Sequence, residues 1–190
     1  LLKKQEIKMS IQLKRADKET SDYRKIKRLY KKAFPAEERA PFFLLSVKAK
    51  KDCADFWALY DDKKWIGLMY VVNYADISYI FYFAVSESER GRGYGSEALK
   101  AAKARYKGRK LFLAIEQLDK NAENYSERVK RKQFYQRNGF EELNQKLREA
   151  TVVYELLGIG GAIEAKEYDR MMKEYLGRIL SKLAVMKIIE

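Results

Sequence analysis

The chain predicts an α/β fold, a mixed, mostly antiparallel central sheet of about seven strands flanked by helices, with an additional helix at the C-terminal end. Three observations predict it. Residues 55–85 form three strand-like runs in succession; the last of them leads through a glycine-rich turn into a helix-like stretch; and a strand, a helix and two closing strand-like runs follow over residues 111–157.

The elements can be taken in order. Residues 10–16 alternate as IQLKRA, a short first strand, and residues 20–34 place Tyr23, Ile26, Leu29, Tyr30 and Phe34 at helical spacing. Pro35 stops that helix, AEERA is a loop, and FFLLSVKAKK after Pro41 reads as a second, short helix. Asp55–Tyr60 and Trp65–Tyr74, separated by Asp61-Asp62-Lys63-Lys64, read as a hairpin, and Ile77–Val85 is the next strand. A helix over 93–107 ends at Gly108, and Leu111–Gln117 is strand. A helix over 125–138 stops at Gly139, and 140–143 and 151–157 close the sheet. Beyond them, 163–189 carries Tyr168, Met171, Met172, Tyr175, Leu176, Ile179, Leu180 and Leu183 at amphipathic spacing, which predicts a helix packed on its own domain. A homodimer contact or a membrane-surface helix is the alternative, with 182–189 the part expected to be exposed or to meet a partner. No repeat, low-complexity tract or linker interrupts the chain, so one domain over 1–190 is expected, with a core at 10–157 and an extension at 158–190.

Composition narrows the functional classes. A chain of 190 residues with 47% hydrophobic and 13% aromatic content buries a substantial core. One cysteine, Cys53, makes no intrachain disulfide, and without histidine a metal site would consist mainly of carboxylates, so no metal is expected. No apolar run reaches the length of a membrane span, which makes the cytoplasm the default location. The net charge of +13 invites a nucleic-acid reading. Its lysines and arginines fall mostly on solvated helix faces at 25–32, 100–110 and 128–132, which weighs against one.

The run Arg90-Gly91-Arg92-Gly93-Tyr94-Gly95 joins the 77–85 strand to the helix SEALKAAKARYK. Alternate glycines let a backbone approach a ligand closely, and the following helix offers unpaired N–H groups and a positive dipole end, so the turn suits phosphate. The steric need for glycine in any strand-to-helix turn is the competing explanation. A P-loop would place a lysine before the helix, where Tyr94-Gly95-Ser96-Glu97 has none, and a dinucleotide turn would place a third glycine at Ser96. Arg-x-x-Gly-x-Gly does fit, and it is followed by Phe134-Tyr135-Gln136-Arg137-Asn138-Gly139-Phe140.

With both segments in view, residues 10–157 resemble the GNAT superfamily of acetyl-CoA-dependent N-acetyltransferases. The resemblance implies a GNAT-like fold with acetyl-CoA as co-substrate and a small-molecule amine or a peptide amine as acceptor. It implies that the amides of Arg92, Gly93, Tyr94, Gly95 and Ser96 carry the coenzyme pyrophosphate, with Gly91 in the same turn and charge from Arg90 and Arg92. The backbone of Phe83, Ala84 and Val85 would pair with the pantetheine arm. Glu87, Arg128 and Arg131 depart from the family's usual proline, asparagine and small residue.

Acyl transfer to an amine needs a neutral nitrogen and a proton for the departing thiolate. The resemblance implies that Tyr135 supplies that proton, with Phe134 as its core neighbour; a tyrosine packed on the core is the alternative. Without histidine the base is a carboxylate, a tyrosine or a water chain. Glu116, which interrupts the apolar strand LFLAI near its C-terminal end, is the first candidate and Asp119 the second. Cys53 has no histidine to activate it and reads as a small core residue. Glu37, Glu38 and Arg39 fall where the family encloses its acceptor, and alternate residues among Tyr79, Phe81, Tyr82 and Phe83 are expected to face opposite sides, Tyr82 among those toward the acceptor. A non-catalytic acyl-CoA-binding module is the alternative function.

Overall fold

A computed structural model of the chain describes residues 10–149, 152–177 and 186–189, apart from the side chains of Glu37 and Met186. In chain order the elements are β1 (Ile11–Arg15), α1 (Tyr23–Ala33), α2 (Phe42–Lys48), β2 (Ala54–Asp61), β3 (Lys64–Tyr74), β4 (Ile77–Val85), α3 (Tyr94–Arg105), β5 (Lys110–Glu116), α4 (Tyr125–Arg137), β6 (Glu141–Glu149), β7 (Val152–Ile159), α5 (Ala165–Leu176) and β8 (Met186–Ile189). The eight strands form one sheet in the order β1-β2-β3-β4-β5-β7-β6-β8. Its ladders are antiparallel except for β4 with β5, which the crossover through α3 makes parallel.

Two apolar layers cover the sheet. On one face α1, α2 and α5 bury Ile26, Tyr30, Leu45, Tyr168 and Met171 against Phe56, Tyr70 and Phe112. On the other, α3 buries Tyr94, Ala98, Leu99 and Ala102 against Leu59, Met69 and Leu113. The spacing i, i+4, i+5, i+8 in α3 is one helical stripe. Helix α4 differs in having no fully buried residue. It docks through Phe134 and Tyr135 and through ion pairs, Lys132 Nζ to Glu155 at 2.6 Å and to Glu142 at 3.0 Å.

Strand β3 lies tight against β4 because residue 67 is glycine. A Cβ there would come within 2.4 Å of the Ala84 carbonyl oxygen, a backbone atom that cannot move aside without breaking the ladder. Further along, the register shifts from Tyr70 opposite Tyr82 to Val71 opposite Ile80, leaving Phe81 as the extra residue of a β-bulge. The bulge cancels the alternation expected of this strand: Phe81 and Tyr82 both pack on the α1/α5 face, while Ile80 and Phe83 belong to the other.

The C-terminal segment departs from the expected long helix over 163–189. Helix α5 ends at Leu176, where Gly177 takes φ +83°. Residues 186–189 instead form β8, pairing antiparallel with β6 from Glu149 opposite Met186 to Lys146 opposite Ile189. A four-residue run, Met-Lys-Ile-Ile, satisfies its backbone on an open sheet edge better than as a frayed helix turn. Leu180 and Leu183 lie outside the described residues, as do 182–185 of the stretch expected to meet a partner. Strand β6 also runs to Glu149, well past the expected 140–143, with a register break between Glu142 and Lys146 where Asn144 takes φ +53°.

Candidate active site

Strands β4 and β5 pair only from Ile77–Lys110 to Tyr79–Phe112. Past the bulge they diverge, and β4 from Ile80 onward has no strand on that side. The split opens a cleft of about 850 Å³ that is lined from the glycine turn at one end to Glu38, Glu149 and Tyr154 at the other.

At the first end, Gly91 and Gly93 take φ +74° and +85°, and Gly93 caps α3 in the left-handed conformation. The helix begins so abruptly that the N–H groups of residues 91 to 95 donate to no internal partner among the described residues; the first amide that does donate is that of Ser96, to Gly93 O at 3.0 Å. Ser96 therefore lines the cleft with its N–H already committed, and the free run is 91–95, one residue earlier than the spacing suggests. Five successive free amides at a helix N-terminus are a concave donor array for an oxyanion. Arg90 Nε donates to Val85 O at 3.3 Å, and Arg92 pairs with Glu89 at 3.5 Å; both guanidiniums lie at the surface beside the turn. Glu89 is buried and hydrogen-bonded by Lys64 at 2.6 Å, which holds its carboxyl below the usual range and fixes the start of the turn. Phe83, Ala84 and Val85 present the unpaired β4 edge to the cleft.

Tyr135 reaches the middle of the cleft from α4. Its ring packs on Phe134 and Phe140 with centroids 5.2 and 5.9 Å apart. Its hydroxyl has no hydrogen-bond partner among the described residues, and burial pushes its pKa up to about 12. Phe134 in turn lies against Gly95, where an added Cβ would come within 3.0 Å of its ring, so α4 and the glycine turn are locked together.

Glu116 also lines the cleft, at the end of β5, but both carboxylate oxygens are engaged. Oε1 meets Arg128 at 3.0 Å and Asn124 at 3.4 Å, and Oε2 meets Arg131 at 2.8 Å. Arg128 and Arg131, the departures noted in the sequence, thus have a defined partner. With both oxygens already accepting from side chains of α4 and its N-terminal Asn124, the geometry makes Glu116 a clamp that positions α4. Asp119 is exposed, accepts the Asn121 amide at 2.9 Å and does not line the cleft. Cys53 is buried away from the cleft, and burial pushes its thiol up.

The far end is built on tyrosines. Tyr82 Oη donates to Glu38 O at 2.8 Å and accepts from Ala40 N at 3.1 Å, while Tyr30 Oη donates to Ala40 O at 2.9 Å. These bonds hold the 35–41 loop over the cleft, so the Tyr82 hydroxyl serves the loop backbone and its ring, not its oxygen, faces the opening. Arg39 donates to Lys31 O at 2.9 Å and points back to α1. Glu38 lines the cleft and accepts from Tyr154 Oη at 3.2 Å. The backbone of Glu37 lies in the same 3-10 turn; its side chain is outside the described atoms. Glu149, at the end of β6, is half-buried in the cleft wall. Burial first and Glu38 second raise its pKa, and no ion pair or hydrogen bond engages it among the described residues. Neither Glu149 nor Tyr154 was legible in the sequence, since neither belongs to a motif.

The split between β4 and β5 thus joins in one cleft a free-amide turn, an unbonded phenol and a carboxylate-lined far end. Residues 52–142 match the family model of the acetyltransferase (GNAT) domain, a span that holds the glycine turn, Glu116 and Tyr135. The resemblance read from the two motifs is borne out.

Solved structures agree in fold. One from Bacteroides thetaiotaomicron, named for the GNAT family of acetyltransferases, is 23% identical with a TM-score of 0.66, covering 90% of this chain and 98% of its own. An aminoglycoside 6'-N-acetyltransferase complexed with coenzyme A is 13% identical with a TM-score of 0.59, over 77% and 95%. Spermidine N-acetyltransferase from Vibrio cholerae, in complex with CoA and spermine, is 17% identical with a TM-score of 0.59, over 79% and 95%. No curated protein matches the chain. Among the described residues no helix is long and apolar enough to cross a membrane.

Proposed function

We propose that the protein, as a single domain, is an acetyl-CoA-dependent N-acetyltransferase that moves the acetyl group to a primary amine by direct attack. The observation that carries the reading is the run of free amides at 91–95, of which Gly91, Gly93, Tyr94 and Gly95 line the same cleft as the unbonded Tyr135. The amides fit the coenzyme's pyrophosphate, and the unpaired β4 edge at 83–85 fits the amides of its pantetheine arm as an added strand would. The thioester supplies an activated acyl carbon. Tyr135, kept protonated by burial, hands its proton to the departing thiolate, and Lys130 and Arg131 add positive charge along the cleft.

Support for an amine acceptor comes from the acidic character of the opposite end, where Glu38 and Glu149 line the cleft. Proteins of the same fold include one crystallised with spermine and the ribosomal-protein-S18-alanine N-acetyltransferase from Escherichia coli.

The test is calorimetric titration with acetyl-CoA and with CoA, coupled to thiol release across a panel of amines. Micromolar binding with thiol release for one amine class supports the transferase. Binding without release favours a non-catalytic acyl-CoA-binding module, and no binding overturns both.

A further inference from the structure

We propose that Glu149, not Glu116, is the general base of the site, and that the acceptor enters as an alkylammonium ion which gives its proton to the Glu149 carboxylate. The inference rests on the transferase reading above.

Among the described residues, four carboxylates line the cleft: Glu38, Glu89, Glu116 and Glu149. A base must keep a lone pair available to the incoming nitrogen. Glu89 is bonded by Lys64 and Arg92, and Glu116 by Arg128, Arg131 and Asn124. Glu38 accepts from Tyr154. Among the described residues, Glu149 alone of the four has neither ion pair nor hydrogen bond, so no described partner occupies its lone pairs.

The surroundings suit a cation that sheds its charge. Among the described residues, the ionisable groups that act on Glu149 or are acted on by it are Glu38 from the 3-10 turn, Tyr79 and Tyr82 from β4, Tyr154 from β7 and Tyr168 from α5, none of them a cation. An alkylammonium is drawn to two neighbouring carboxylates, while partial burial and the charge of Glu38 raise the proton affinity of Glu149 toward that of the nitrogen it must deprotonate. Glu38 keeps the end of the cleft anionic after the proton has moved. The aromatic walls, Phe34, Phe81 and Tyr82, then suit the methylenes of an aliphatic amine.

The proton balance closes. The ammonium gives one proton to Glu149, and the neutral amine forms the N–C bond as the C–S bond breaks. Tyr135 protonates the thiolate and recovers a proton from the acylated nitrogen, and Glu149 returns its proton to solvent.

The experiment compares wild type with Glu149→Gln and Glu116→Gln, using acetyl-CoA with butylamine, 1,4-diaminobutane and lysine methyl ester as acceptors. Glu149→Gln should lower kcat/KM about 100- to 1,000-fold and abolish the limb that rises with pH, while leaving acetyl-CoA affinity unchanged. Glu116→Gln should keep that limb. A carboxyl-carbon NMR titration of the coenzyme-free wild type should show one glutamate titrating above the others, assigned by its disappearance in Glu149→Gln. If the wild type acetylates an amine and Glu149→Gln keeps its rate and pH profile, or if no glutamate titrates high, this inference is wrong and the transferase reading stands. If the wild type binds no acetyl-CoA or releases no thiol, both fall.

Discussion

Replacing Tyr135 by phenylalanine removes one oxygen and leaves the packing in place. The ring keeps its contacts with Phe134 and Phe140, and no hydrogen bond is broken among the described residues. The stability change should stay within about 0.5 kcal/mol, as for substitutions that touch no partnered group. The kinetic cost is of another size. General acid catalysis contributes about 10²- to 10⁴-fold, which is about 2.7–5.5 kcal/mol of barrier. Because burial raises the pKa to about 12, the hydroxyl stays protonated throughout an ordinary assay range, so the wild-type profile should show no loss assignable to Tyr135 below about pH 11. The assay is thiol release at saturating acetyl-CoA, with a parallel coenzyme titration and thermal melt. A variant within about threefold of wild-type kcat would refute the acid role and leave Tyr135 as packing.

Three further outcomes are expected. Tyr106→Phe should behave oppositely, because the Tyr106 hydroxyl donates to Asp55 at 2.8 Å and accepts from Trp57 Nε1 at 2.8 Å in a buried chain. Its loss should cost about 2–3 kcal/mol, a fall in Tm of about 4–12 °C, with kcat retained. Gly93→Ala forces a side chain into φ +85° at the helix cap, which costs about 1–2 kcal/mol and re-aims the free amides; calorimetry should show coenzyme affinity reduced about tenfold or more. Glu149→Gln should stabilise the fold above the pH where Glu149 ionises. Its folded pKa is raised, so the native state holds a proton that the unfolded chain releases, and stability declines as pH rises from the ordinary glutamate range through the folded pKa. Melts should therefore coincide near pH 4 and show the variant higher at pH 8; equal Tm values at pH 8 would contradict the burial argument.

Much of the fold was legible because local patterns suffice where one face of an element is buried. Helix α1 buries the Ile26, Leu29 and Tyr30 that its spacing picked out, and Gly139 with φ +81° ends α4 as glycine does. Alternation misled on β4, because a bulge is set by the partner strand and not by the strand's own sequence. Periodicity misled over 186–189 for a related reason: a short run such as Met-Lys-Ile-Ile reads equally as helix or strand until an open edge, here that of β6, supplies its hydrogen bonds.

The site divides along the same line. The glycine turn and the Phe134-Tyr135 pair were visible in sequence because each depends on contiguous residues: positive φ at Gly91 and Gly93, free amides at a helix start, and one turn of α4. Glu116, the expected base, does line the cleft, but its two arginine partners come from another element, and they engage both of its carboxylate oxygens. Glu149 and Glu38 lie 111 positions apart, and only the folding of β6 back beside the 35–41 loop brings them to one cleft. Sequence by itself determined the backbone chemistry of the coenzyme turn, since local conformation follows from local residue types. Tertiary structure alone decided which carboxylate is free, because basicity depends on burial and on neighbouring charge, and both are properties of where distant residues meet.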